Sequence, residues 1–117
     1  MDTATWNYPA ITRGASHDRT MTMAIDGTPV NLTGYTARLH VRDRPTETGA
    51  LILEMTQANG RLILGDTAGT IRRLLSADET ADIAHGLYWY DLLLISSGGI
   101  ADYLVRGRFP VKARVTI

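Results

Sequence analysis

Three histidines, His17, His40 and His85, are the first residues in this chain that could carry chemistry, as metal ligands or as acid–base groups. Their spacing argues against both. They fall in a loop, on the polar face of a strand and at a helix end, with no H-x-H or H-x-x-x-H pair among them, so surface histidines are the plainer reading. The carboxylates Asp78, Glu79 and Asp82 cluster near the start of a short helical segment, where negative charge is stabilising without any further role. Asp91 and Asp102 lie on strands expected to pair, but a catalytic carboxylate pair needs a defined separation. Ser96-Ser97-Gly98-Gly99 is glycine-rich, yet it joins two strands and precedes no helix that could cradle a phosphate. Gly-x-Ser-x-Gly, Walker and dinucleotide glycine patterns are absent. With no nucleophile–base or metal constellation, the chain is expected to be non-enzymatic and to need no cofactor.

What remains is recognition chemistry. Tyr88-Trp89-Tyr90 puts Trp89 on one face of a strand and the two tyrosines on the other. Filling the core is the commoner fate of such rings; an exposed aromatic patch that binds sugar or protein, with Tyr103 beside Tyr88 or Tyr90, is the rival. Trp6 and Tyr8, near the N-terminus, are costly to leave in water and pin that arm to this domain or to a neighbour. Arg38, His40 and Arg42 share one strand face and, with Arg72 and Arg73, are read as one polar sheet surface.

The elements that must position these residues are strands. Period-two alternation runs through 20–25, with Met21, Met23 and Ile25 on one side. It recurs in 35–42, where Tyr35, Ala37, Leu39 and Val41 oppose Thr36, Arg38, His40 and Arg42. Asp26-Gly27, Asn59-Gly60 and Gly65 to Gly69 punctuate the strands as turns, and 43–49 reads as an exposed loop. Residues 87–95 and 100–109 form a hairpin across Ser96–Gly99, and Pro110 marks an edge or a bulge before 111–117 closes the fold. Ser76-Ala77-Asp78-Glu79 has the capping-box form, which predicts one crossover helix near 76–85. These elements predict an all-β fold: a two-sheet antiparallel β-sandwich, Ig-like in outline. An N-terminal arm or edge strand (1–13) precedes a single sandwich domain (14–117).

Composition narrows the partners. Twelve basic residues balance twelve acidic ones, which removes the electrostatic footprint of a nucleic-acid binder and eases self-association. No cysteine is present, so neither a disulfide framework nor a thiolate site exists. The first eight residues do not read as a signal peptide, and the longest apolar run, Leu92 to Ile95, is too short to span a bilayer. A chain made in the cytosol that stays soluble, without membrane partners, is the expectation.

The order of motifs carries a resemblance over nearly the whole chain. Ile11-Thr12-Arg13-Gly14 is followed by Val30-Asn31-Leu32-Thr33-Gly34-Tyr35-Thr36-Ala37-Arg38-Leu39-His40-Val41-Arg42-Asp43. Asn59 to Ile63, Gly69-Thr70-Ile71, Leu75 to Thr80 and Gly86 to Leu92 come next. In this the chain resembles the small β-sandwich proteins of tailed bacteriophages and prophages, and is similar to the N-terminal domain of phage baseplate upper proteins. The resemblance implies a non-enzymatic virion structural protein, made in the host cytoplasm, that docks on tail or baseplate components. Its partners would be other phage structural proteins, in a homo-oligomer or in several copies per particle. A capsid decoration or head–tail connector protein is the alternative, and a carbohydrate-binding module a further one. The expected interface residues are Trp6, Tyr8, Arg38, His40 and Arg42. The arm is expected to be loosely held by its own domain, so that deleting residues 1–9 leaves a folded domain that no longer incorporates.

Overall fold

Alternating sequences bury one face only when a second layer covers it, and here two sheets cover each other. The computed structural model describes residues 2–113. In chain order its elements are β1 (Asp2–Thr5), β2 (Ile11–Thr12), β3 (His17–Thr22), β4 (Ala24–Ile25), β5 (Thr28–Pro29), β6 (Thr36–Arg42), β7 (Leu51–Thr56), β8 (Leu62–Leu64), β9 (Thr70–Leu75), α1 (Ala77–Ala81), β10 (Gly86–Ile95) and β11 (Ala101–Lys112). The larger sheet runs β1-β11-β10-β6-β7, with β2 also on β11; the smaller runs β3-β9-β8, and β4-β5 is a separate hairpin. Leu39, Val41, Leu92, Leu94, Val105 and Phe109 of the larger sheet share one core with Leu62, Ile71 and Leu75 of the smaller. The all-β, sandwich-like reading therefore holds, with antiparallel pairing throughout except at the N-terminus.

The hairpin β10–β11 forms in the expected place, turning through Gly99 N–H to the Ser96 carbonyl (2.9 Å). The β4–β5 hairpin turns on Asp26 and Gly27, whose φ of 51° and 79° are the left-handed pair that a tight two-residue turn requires. Because the chain leaves the smaller sheet there, Ile25 does not continue the buried side of Met21 and Met23; it is 47% exposed. The capping box is present: Ser76 Oγ accepts from Glu79 N–H (3.1 Å) and Glu79 Oε1 from Ser76 N–H (2.8 Å). The helix stops at Ala81, short of the predicted 85, because the chain turns in to bury Ile83. Of the closing segment 111–117, Val111 and Lys112 belong to β11; 114–117 lie outside the described residues.

The N-terminal arm is where the structure departs most from the sequence reading. Both β1 and β2 run parallel to β11, with Asp2 to Thr5 opposite Tyr103 to Arg106 and Ile11 and Thr12 opposite Val111 and Lys112. Between them Trp6 and Tyr8 N–H donate to the carbonyls of Arg106 and Arg108 (both 2.9 Å). Pro9 and Pro110 fall in the gap between the two stretches, where a missing donor breaks no ladder bond. Gly107 makes the crossing possible: a Cβ there would lie 2.2 Å from the Trp6 carbonyl oxygen, which instead accepts the Tyr90 hydroxyl. Tyr8 is only 3% exposed and packs on Phe109 (ring centroids 4.4 Å), Tyr90 (5.5 Å) and His17 (5.4 Å). The arm is thus a plug that closes one edge of the sandwich, and Tyr8 is a core residue, unavailable as an open contact. The expectation of a loosely held arm gives way because two rings and a run of backbone bonds hold it.

Arg73 is also corrected. Consecutive strand residues point to opposite faces, so Arg72 turns out to pair with Asp18 (2.7 Å) while Arg73 turns in and is 1% exposed. Its guanidinium carbon lies 4.9 Å from the Trp6 ring and 4.5 Å from the Tyr8 ring, and its buried Nε and Nη1 have no hydrogen-bond partner among the described residues. Stacking on two rings contributes about 2 kcal/mol or more. Burying an ion with no carboxylate beside it costs several. Arg73→Met is therefore expected to stabilise the fold by about 1 kcal/mol or more in a denaturant melt. A loss exceeding about 2 kcal/mol would show that the stacked cation outweighs its desolvation.

Candidate interface on the larger sheet

The outward face of the larger sheet gathers the predicted Arg38, His40 and Arg42, since their neighbours Ala37, Leu39 and Val41 face the core. Strand register builds rows across it. Thr5, Arg106, Asp91, His40 and Glu54 form one row. Within it Arg106 Nε lies 3.6 Å from Asp91 Oδ1, and His40 Nε2 lies 2.8 Å from Glu54 Oε2. A second row sets Trp89 between Arg42 and Arg108, and a third sets Leu93 between Arg38 and Leu104. Trp89, Leu93 and Leu104 are half-buried, giving the face an apolar floor between charged rows.

The loop 43–50 stands beside this floor as a wall. Arg42 Nη1 donates to the Gly49 carbonyl (2.9 Å), and Asp43 Oδ1 accepts from Ala50 N–H (2.8 Å). Gly49 is buried, and a Cβ there would meet Arg44 Cβ, Arg44 N and Asp43 Oδ1, all at 2.9 Å, so the loop closes on itself without room for a side chain. Sheet and loop together enclose an open groove of about 1030 Å³. Arg42 is spent on holding the wall. Arg38 on the sheet and Arg44 on the loop, both exposed, have no hydrogen-bond or ion-pair partner among the described residues.

The other candidates disperse. His17 is buried with Tyr8 and not in a surface loop, and His85 is exposed at the far end of β10. Asp91 faces Arg106 while Asp102 accepts the Tyr35 hydroxyl (2.7 Å), so the two aspartates do not form a pair. That bond, with burial a lesser cause, pushes the Tyr35 hydroxyl up to about 12. Tyr90 is in the core, Tyr88 lies opposite Phe109, and Tyr103 lies opposite Leu94 with its ring 6.3 Å from Tyr35. The three tyrosines therefore make no common platform, and Trp89 is the half-buried aromatic of the groove, beside the buried Tyr90. Among the described residues no group of three or more His, Asp or Glu side chains is placed to hold a metal ion, and no helix is long and apolar enough to cross a membrane.

One edge of the larger sheet is guarded. Along β7 the Asn59 side chain takes the place of a neighbouring strand. Its Nδ2 donates to the Glu54 carbonyl (3.0 Å), and its Oδ1 accepts from Thr56 and Arg61 N–H (3.0 and 3.1 Å). Arg61 Nη1 adds a second donor to Glu54 O (2.8 Å). Such capping blocks strand addition along that half of the edge.

Arg38, His40 and Arg42 were expected here as interface residues and Trp89 as the rival aromatic platform, whereas Arg44, Leu93, Leu104 and Arg106 were not foreseen. Alternation alone placed Leu93 and Asp91 beside Trp89; which residues of β11 and β6 stand opposite them depends on register across the sheet. No protein-family model matches this chain, and no curated protein matches it.

Proposed function

We propose that this protein is a non-enzymatic bacteriophage virion component that docks, in several copies, onto tail or baseplate proteins through the outer face of its larger sheet. The observation that carries the docking surface is the groove itself: an apolar floor, a hydrogen-bonded loop wall and two arginines without partners among the described residues. The phage context rests on the resemblance carried by Val30 to Asp43 and the motifs after it. Capping of β7 by Asn59 blocks strand addition along half of that edge, which favours the face beside it as the docking surface. A capsid or connector address uses the same surface and differs in copy number.

Mass spectrometry of purified particles tests the context; absence of the protein from intact virions refutes it. The surface is tested by R38E/R44E, two substitutions at exposed sites. This variant is expected to keep its stability within about 0.5 kcal/mol and to be lost from particles; normal incorporation would move the docking surface elsewhere.

Trp89 in the groove also supports the carbohydrate-binding alternative, with one ring as the stacking platform. Glycan binding that disappears in Trp89→Ala while particle incorporation is retained would favour that reading.

A further inference from the structure

We infer that the occupant of this groove is a carboxylate-rich segment of a partner protein that seats an apolar side chain on Trp89; the inference rests on the docking reading above. Four arginines, Arg38, Arg42, Arg44 and Arg106, line the groove against two carboxylates, Glu47 and Asp91. Arg106 is engaged by Asp91 and Arg42 by the Gly49 carbonyl, so the two that await a ligand are Arg38 on the sheet and Arg44 on the wall. A guanidinium presents a planar fork of donors that carboxylates fill in pairs. An occupant with carboxylates spaced to reach both sides satisfies the two cations together.

The same groove disfavours the other anions. A polyphosphate backbone needs an uninterrupted basic track, whereas Glu47 and Asp91 face into this one, and the chain as a whole has no net charge to gather nucleic acid. A purely apolar helix would leave both arginines desolvated and unpaired. A protein segment alternating acidic and apolar side chains meets the cations and the Trp89–Leu93–Leu104 floor at once.

The test is fluorescence anisotropy of a labelled synthetic peptide of alternating Glu and Leu, titrated with the full-length protein at low ionic strength. Saturable binding is expected. It should weaken about tenfold or more in R38E/R44E and also on raising salt, and it should be unchanged in the control R19E. Trp89→Ala is expected to weaken binding while leaving its salt dependence intact. If R38E/R44E does not fold, R38Q/R44Q carries the same expectation with a smaller loss. The inference is overturned if a Gln-for-Glu peptide binds equally well, if the arginine variants bind normally, or if single-stranded DNA or a sulfated oligosaccharide binds better than the acidic peptide. Absence of peptide binding alongside loss of R38E/R44E from particles would refute the acidic occupant and leave the docking surface standing.

Discussion

Tyr8→Ala is expected to cost about 3–5 kcal/mol of folding stability, the range for removing a large ring from a packed core. Tyr8 touches both layers: Phe109 and Tyr90 on one sheet, His17 and Arg73 on the other. Its loss opens a cavity and also removes the hydrogen bond between its hydroxyl and His17 Nε2 (2.9 Å), along with half of the stack around Arg73. Denaturant melts of the full-length variant measure this directly. A cost below about 1 kcal/mol, small for a buried ring, would mean that the arm is not part of the folding unit. By the same argument, deleting residues 1–9 is expected to destabilise the domain severely.

Acidification from about pH 6.5 to about pH 4 is expected to remove up to about 3 kcal/mol of stability through His17 alone. Burial, reinforced by the Arg73 and Arg19 cations and opposed by Asp18, lowers its imidazole from 6.5 to about 4. The folded state therefore holds His17 neutral where the unfolded chain takes up a proton. Stability from this group is complete above pH 6.5, declines as pH falls, and is exhausted below about 4. The neighbouring tyrosines do not mask the window. Burial pushes the Tyr8 hydroxyl up to about 12 and the Tyr90 hydroxyl higher still, so both stay neutral throughout it. Asp18, through its hydrogen bonds from Arg72, and Glu79, through the Ser76 N–H, are held below the usual carboxylate range, so their contributions begin to fall only at the acid end of the His17 window. Denaturant melts across pH 4–7 should show the loss in the native protein and its absence in His17→Gln, which keeps a hydrogen-bonding side chain for Tyr8. An unchanged slope in His17→Gln would assign the acid limb to other groups.

Strands 36–42, 51–56 and 70–75, the β10–β11 hairpin, the capping box and the Arg38–His40–Arg42 face were legible in the sequence, because each rests on local periodicity or turn chemistry, whereas the start of β3 at His17 and its break before Ile25 were not. The arm was not. Whether Trp6 and Tyr8 pack at home depends on a missing side chain at Gly107, a hundred residues away, which leaves room for the Trp6 carbonyl. Arg73 was misplaced for the opposite reason. The alternation was readable, but pairing it with Arg72 on one face ignored it, and nothing local shows that two rings from the arm would cover a buried cation. The groove was half legible: residues on β6 follow from one strand, whereas Leu104, Arg106 and the loop wall enter through register and through the close packing that Gly49 permits.

A density map of assembled particles by electron cryomicroscopy shows which face of the protein meets its neighbours. The sandwich is expected in several copies, each with a neighbouring protein seated over Arg38, Trp89 and Arg44 and with Tyr8 enclosed in its own core. A map in which that groove faces solvent while the copies touch their neighbours through another surface would contradict it.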